Sequence, residues 1–288
     1  MLAVFFAVLA GALFGVLTLT VRAGLQRGAD PEAGALVVTG LGFVVGAVLA
    51  VPELMVGVDL SGLWPFLLVG AIVPGISQIL FILAVRDAGP SRAAILIGTA
   101  PLISVLIALL VLDEPFRPPV LAGTALIVAG GAILARERAR PAHFRMLGAV
   151  LALTCAGLFA VRDNAVRFVA RDADAPALAA SAVSLLAAGT VVLVSLLLLR
   201  RHGLRGKLRT ALPAFAAAGV TLGLAYASLV EAFDHGQVSI VAPLNATQSL
   251  WAVLLAAVLV GKSEQISRRT VLSGVLVLAG GAMISVLR

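Results

Sequence analysis

Charge is scarce in this chain. Asp, Glu, Lys and Arg together make up 12% of 288 residues, while hydrophobic residues make up 61%. A soluble domain carries about 25% charged residues and about 45–50% apolar ones. No water-soluble core of this size absorbs such an excess, so the composition describes an integral membrane protein. Cysteine is nearly absent. Cys155 stands alone inside an apolar run, which rules out an intrachain disulfide and a thiolate-rich metal site. The three histidines, His143, His202 and His235, all fall in predicted loops, so no metal and no cofactor is expected. There is no HExxH, no P-loop and no GxSxG in a suitable context, and the chain reads as a non-enzyme without a built-in ATP drive. Strict apolar/polar alternation is missing too. Runs such as Val191–Leu199 suit helices rather than the strands of a membrane barrel. The net charge is +7, but its basic residues are scattered between apolar spans, which points to membrane orientation and away from nucleic acid. Met1 opens directly on an apolar run with no basic leader, so no cleavable signal is expected.

One stretch occurs twice. Ser91–Leu134 and Val241–Ile284 superpose without a gap at an offset of 150. Each holds an apolar span, a short polar turn with one matched acid (Glu114, Glu264) and a second apolar span carrying Ala-Gly-Gly-Ala, at Ala129–Ala132 and Ala279–Ala282. The earlier helices repeat as well: an offset of 145 pairs Leu13-Phe14 with Leu158-Phe159, and Pro31 with Pro176. A duplicated unit in a membrane chain points to a site between the two copies.

Ten apolar spans can be drawn at about 1–21, 33–52, 62–85, 91–112, 118–135, 146–168, 177–199, 210–232, 237–260 and 270–287. Each is near the roughly 20 residues needed to cross a bilayer as helix. The expected fold is all-α and integral to the membrane. A first five-helix repeat covers 1–135, a polar linker 136–145 and a second five-helix repeat 146–288. Five is an odd number, so the second repeat enters from the opposite side, and the repeats are inverted. Sixteen of the 21 Lys and Arg lie in the loops after spans 1, 3, 5, 7 and 9. The positive-inside rule puts those loops in the cytoplasm and both termini outside.

Ten helices in two five-helix repeats, Pro101 thirteen residues before Glu114, and a Gly-rich last span together resemble the EamA-like branch of the drug/metabolite transporter superfamily. The resemblance covers nearly the whole chain. It implies an exporter of amino acids, metabolites or drugs, with both termini in the cytoplasm, opposite to the charge count. The family often has Trp-Gly in the first helix of each half, where Phe14-Gly15 and Phe159-Ala160 stand here. It often has an Arg early in the second helix, where Thr39 and Ser184 stand here. Trp251 occupies the span 9 counterpart of Pro101.

Polar groups at bilayer depth are the informative ones, because an unpaired ionised group there costs a few kcal/mol and normally faces a cavity or a partner. In span 9, Asn245, Gln248 and Trp251 are spaced i, i+3, i+6 along one predicted face. Two carboxamides and an indole suit an amphipathic organic solute; the plainer reading is hydrogen bonding between packed helices. Pro74-Gly75 in span 3 predicts a kink that frees a carbonyl, just before Ser77 and Gln78. Tyr226 in span 8 lies close to the repeat-equivalent position. These six residues are the candidate substrate site. Arg162 and Asp163 in span 6 and Glu231 at the end of span 8 are candidate proton or charge sites; snorkelling of Arg162 and solvation of the Glu231 end are the plainer readings. Glu114 and Glu264 are expected to cap the helix that follows or tie adjacent loops together. The paired glycines, Gly123 with Gly130 and Gly274 with Gly281, are expected to form packing seams, within the chain or in a homodimer.

The sequence therefore predicts a multi-pass protein of the plasma membrane. Its partners would be the lipid bilayer, a small-molecule substrate and, as a candidate coupling ion, the proton. The expected activity is secondary transport of an amino acid-like or drug-like metabolite by alternating access. A non-transporting scaffold or sensor subunit is the alternative, followed by a membrane-embedded lipid-processing enzyme.

Overall fold

The computed structural model describes residues 1–56, 61–78, 80, 84, 96–136, 146–172, 175–199, 204–248, 250–251, 255 and 268–286. These residues are helical throughout, apart from turns. In chain order the helices are α1 (Leu2–Gln26), α2 (Pro31–Met55), α3 (Trp64–Gly70), α4 (Ala100–Val111), α5 (Pro118–Arg136), α6 (Met146–Asp172), α7 (Ala177–Leu199), α8 (Leu204–His235), α9 (Val238–Asn245) and α10 (Arg268–Val286). Five of them, α1, α2, α6, α7 and α8, are long and apolar enough to cross a membrane. The outward faces of the helices are apolar: Val48 of α2, Leu110 of α4, Leu198 of α7 and Leu278 of α10 are all largely exposed. With backbone bonds closed inside each helix, that surface suits hydrocarbon.

Local chemistry sets several helix ends. Gly28 turns the chain between α1 and α2 at φ +73°, where a side chain would be strained. Asp30 then caps α2, accepting from the amides of Glu32 (3.2 Å) and Ala33 (3.0 Å), with Pro31 in the first turn. The Pro74-Gly75 pair does bend span 3. A wide turn over Ala71–Ile76 follows α3, and Val73 leaves helical geometry at φ −137°, ψ 115°.

The bundle is built around α8, whose apolar window is 67% buried against 28% for α1. It packs on α1, α2, α6, α7 and α9. Small residues allow close approach. The Cβ of any side chain at Gly70 would run into the backbone of Ser184, so α3 and α7 touch nearly backbone to backbone. The partner helices of the two repeats run antiparallel. Glu53 at the end of α2 meets Leu178 at the start of α7, and Glu114 beyond α4 meets Val238 at the start of α9. In α5 and α10, Gly123 lies against Gly280 and Ile284, while Gly130 lies against Ser273 and Val277. The Ser273 hydroxyl donates to the Gly130 carbonyl at 2.6 Å.

This last seam corrects a detail of the sequence reading. Gly123 and Gly130 do line it, but in α10 the contact runs through Ser273, Val277, Gly280 and Ile284. Gly274 and Gly281 face Leu250 and Leu244 instead. The seam is spent inside the chain rather than offered to a second copy.

Spans 4 and 9 are also not continuous helices. The chain turns at Gly98-Thr99 before α4 begins, and again at Ala246-Thr247 after α9 ends. The Thr99 hydroxyl bonds the Leu96 carbonyl (2.6 Å) and the Thr247 hydroxyl bonds the Leu244 carbonyl (2.7 Å), so side chains satisfy backbone groups that the break releases.

Candidate functional site

Helix α6 carries the densest polar group of the interior. At 27 residues it runs past the predicted span end to Asp172, so Arg162 lies well inside it, about 15 Å of helix from that end. The Arg162 side chain is 11% exposed and does not snorkel. Its Nη2 and Nε both reach Asp163 Oδ1, at 2.7 and 2.8 Å. The Phe159 ring lies beneath the guanidinium, 5.6 Å from its centroid. Asp163 and Asn164 are buried. Ser104 of α4 donates to Asp163 Oδ2 at 3.3 Å. Asn164 Nδ2 donates to the Ser104 carbonyl (3.1 Å) and to the Ala160 carbonyl (2.8 Å), which ties α6 to α4.

Tyr226 closes the group from α8. Its hydroxyl donates to the Val73 carbonyl at 3.2 Å, the carbonyl at the kink in span 3. The Arg162 guanidinium and the Ser184 hydroxyl lie close enough to act on the Tyr226 hydroxyl electrostatically. Ser184 in turn donates to the Phe66 carbonyl at 3.1 Å and to the Ala180 carbonyl at 2.9 Å. Span 3, α4, α6, α7 and α8 thus converge on one buried polar centre. Two acceptors in the interior lack a partner among the described residues, Asn164 Oδ1 and Asn245 Oδ1. Such groups cost about 1–3 kcal/mol each unless water or a ligand supplies a donor.

The expected substrate and charge-site residues divide. Arg162, Asp163 and Tyr226 come together. Ser77 is buried on the kinked segment, where its carbonyl accepts the Cys155 thiol at 3.6 Å, and Gln78 beside it is half-buried. Asn245 ends α9 half-buried, and Trp251 is half-buried beyond the break. Gln248 is exposed. The turn at Ala246-Thr247 interrupts the i, i+3, i+6 face on which the three were aligned, so they do not form one stripe. Glu231 sits apart, at the end of α8, with His235 Nδ1 3.6 Å from its carboxylate.

The matched acid Glu114 does cap a helix, but not the one that follows it: its helix lies far away in sequence. It accepts from the amides of Val238 and Ser239 at the start of α9. Glu264 lies outside the described residues. Sequence reading missed Ser104 and Glu53. Ser104 is one hydroxyl among many in apolar spans, and most of the others, such as Thr18, Thr124 and Thr221, only bond back to their own helix. At the same end as Glu114 a recess of about 360 Å³ opens, lined by Leu112, Asp113, Glu114, Arg167, Phe168 and Gln237. Among the described residues no group of three or more His, Cys, Asp or Glu could hold a metal ion.

The profile of the EamA-like transporter family matches residues 1–136 and 146–286, one match per half. The chain belongs to the EamA-like transporter family. This EamA-like protein is therefore a multi-pass membrane protein of a transporter family within the drug/metabolite superfamily, whose members move small molecules rather than transform them. A solved crystal structure is similar to it in fold, with a TM-score of 0.83 at 23% identity, covering 99% of this chain and 96% of the other. No curated protein matches the chain.

Proposed function

We propose that this EamA-like protein is a secondary transporter, working as an exporter, of an amino acid-like or drug-like metabolite across the plasma membrane. Ten spans form two inverted five-helix repeats, 1–135 and 146–288, joined by the 136–145 linker. The antiparallel run of α2 with α7, α4 with α9 and α5 with α10 supports the inversion. Pseudo-symmetric halves allow two end states of near-equal energy, and rocking between them exposes the centre to each side in turn.

The observation that carries this reading is the buried Arg162–Asp163 pair beside the unsatisfied Asn164. A buried ion pair is weak evidence for stability, because desolvation offsets much of the attraction. Its use here is exchange. A solute carboxylate displaces Asp163 from the guanidinium, since Arg binds carboxylates in a planar fork. Asp163 then takes a proton, which couples solute movement to proton movement. Tyr226, Ser77, Gln78 and Trp251 shape the wall, and Asn245 and Asn164 accept hydrogen bonds from the solute.

Flux in proteoliposomes tests this. Arg162→Lys and Asp163→Asn are expected to cut transport at least tenfold at normal protein levels, and Asp163→Asn to abolish its dependence on a proton gradient. If the double variant Arg162→Met/Asp163→Leu transported normally, the pair would be packing glue and the site would lie elsewhere.

A further inference from the structure

Two carboxylates at one end of the bundle do an unusual job. Glu114 is 8% exposed, and its oxygens accept the amides of Val238 at 2.7 Å and Ser239 at 3.0 Å. Glu53 does the same to α7, accepting from Leu178 at 3.2 Å and Ala179 at 2.9 Å. Each caps a helix more than a hundred residues away. A helix N-terminus is ordinarily capped by the residue that starts it, as Asp30 caps α2. Gln237, at that position on α9, makes no side-chain cap. In both cases the acid belongs to the first half of the chain and the helix to the second. Both contacts lie at the end where α1 begins, for Ala3 packs on Gly236 there and Phe6 on His235.

We infer that Glu53 and Glu114 form a latch between the two halves, which holds this end shut and so sets the side of the membrane to which the central site opens. The inference rests on the alternating-access reading above. The physics suits a reversible latch. Four charge-assisted hydrogen bonds, reinforced by the positive end of each helix, hold the halves while the end is dry. Once the halves part, water replaces the lost partners on both sides, so the net cost is a small fraction of the gross attraction. The Glu114 arm also reaches the site. Helix α9 is only eight residues long, with the latch at Val238 and the unsatisfied Asn245 at its other end. Release of Glu114 frees the short helix that carries one of the site's acceptors.

The test uses the full chain in proteoliposomes without substrate. Cys155 is the sole cysteine, and Cys155→Ala removes it. Ala242→Cys, buried on α9 between latch and site, reports access to a membrane-impermeant maleimide added from either side. Glu114→Gln should speed labelling from the latch side about tenfold, and Glu53→Gln/Glu114→Gln should speed it further. Labelling from the other side should fall or stay constant. Glu114→Asp, which keeps the charge but shortens the reach, should act in the same direction if the amide variant fails to fold. Asp30→Ala is the comparison at the other end: it removes the cap of α2 and the Lys207 ion pair there, and should lower the melting temperature without speeding labelling from the latch side. Unchanged labelling in folded latch variants, or labelling raised equally from both sides, would overturn the latch. A protein that carries no solute yet shows the one-sided response would keep the latch and lose the transport reading.

Discussion

The two ends of the bundle are held by different chemistry. Where α1 begins, the buried Glu114 and the half-buried Glu53 bind backbone amides across the halves, and Arg167 donates to the carbonyls of Phe233 and Asp234 at 2.9 and 2.8 Å, closing the end of α8. Where α1 ends, the polar contacts between the halves among the described residues are partly exposed. Lys207 meets Asp30 at 2.8 Å with the lysine side chain 38% exposed, and Arg27 reaches the Pro213 carbonyl at 3.4 Å. Exposed ion pairs contribute about 0–1 kcal/mol, whereas a charged hydrogen bond to a buried amide contributes about 1.5–3 kcal/mol. Packing does more of the work at the second end: Phe215 wedges against Gly24 and Gly34, with no room for a Cβ at either glycine. One end is tied by bonds that can be exchanged for water, the other by an apolar wedge that cannot.

The largest effect is expected at neither end but between them. Arg162→Met or Asp163→Leu alone strands a buried charge and should cost about 3–5 kcal/mol, read as loss of folded protein in detergent melts. The double variant should recover most of that loss. Next comes the wedge: Gly34→Val drives methyls into Phe215 and should cost about 1–3 kcal/mol or more by the same melt. Glu114→Ala should cost about 2–3 kcal/mol, since two amides lose a charged partner, and exchange of the Val238 and Ser239 amides with deuterium should accelerate together. Asp30→Ala should cost about 1 kcal/mol.

The smallest effect is one of pH. Burial pushes the Asp30 carboxyl up, but the Lys207 ammonium and the amides of Ala33 and Glu32 outweigh it and hold its pKa below the ordinary carboxylate value. A lowered folded pKa means that this contribution is fully present above about pH 4 and is lost as the pH falls through the lowered value. The melting difference between the parent and Asp30→Ala should therefore be flat from pH 7 to pH 5 and narrow below about pH 4. A difference that already narrows near pH 6 would assign the effect to another group.

Much of the molecule was legible from the chain alone, and the reason is physical. Hydropathy and duplication are local properties, so composition was enough to put the protein in a membrane, and an offset of 150 was enough to expose its two halves. Pro74-Gly75 bends its helix wherever it sits, and the carbonyl it frees was foreseeable; that Tyr226 would claim it at Val73 was not. Rotational phase and long-range partners belong to packing. A turn at Ala246-Thr247 took Gln248 out of line with Asn245, and a shift of one residue put Gly280 rather than Gly281 in the seam. Arg162 was readable as a charge near a span end, but only the longer α6, with Phe159 and Tyr226 around it, made it an interior group. Glu114 was readable as a cap, yet its helix begins 124 residues away. Sequence patterns specify which face of a segment is apolar; which amide, carbonyl or guanidinium meets which partner is decided only when the segments close on one another and water is excluded.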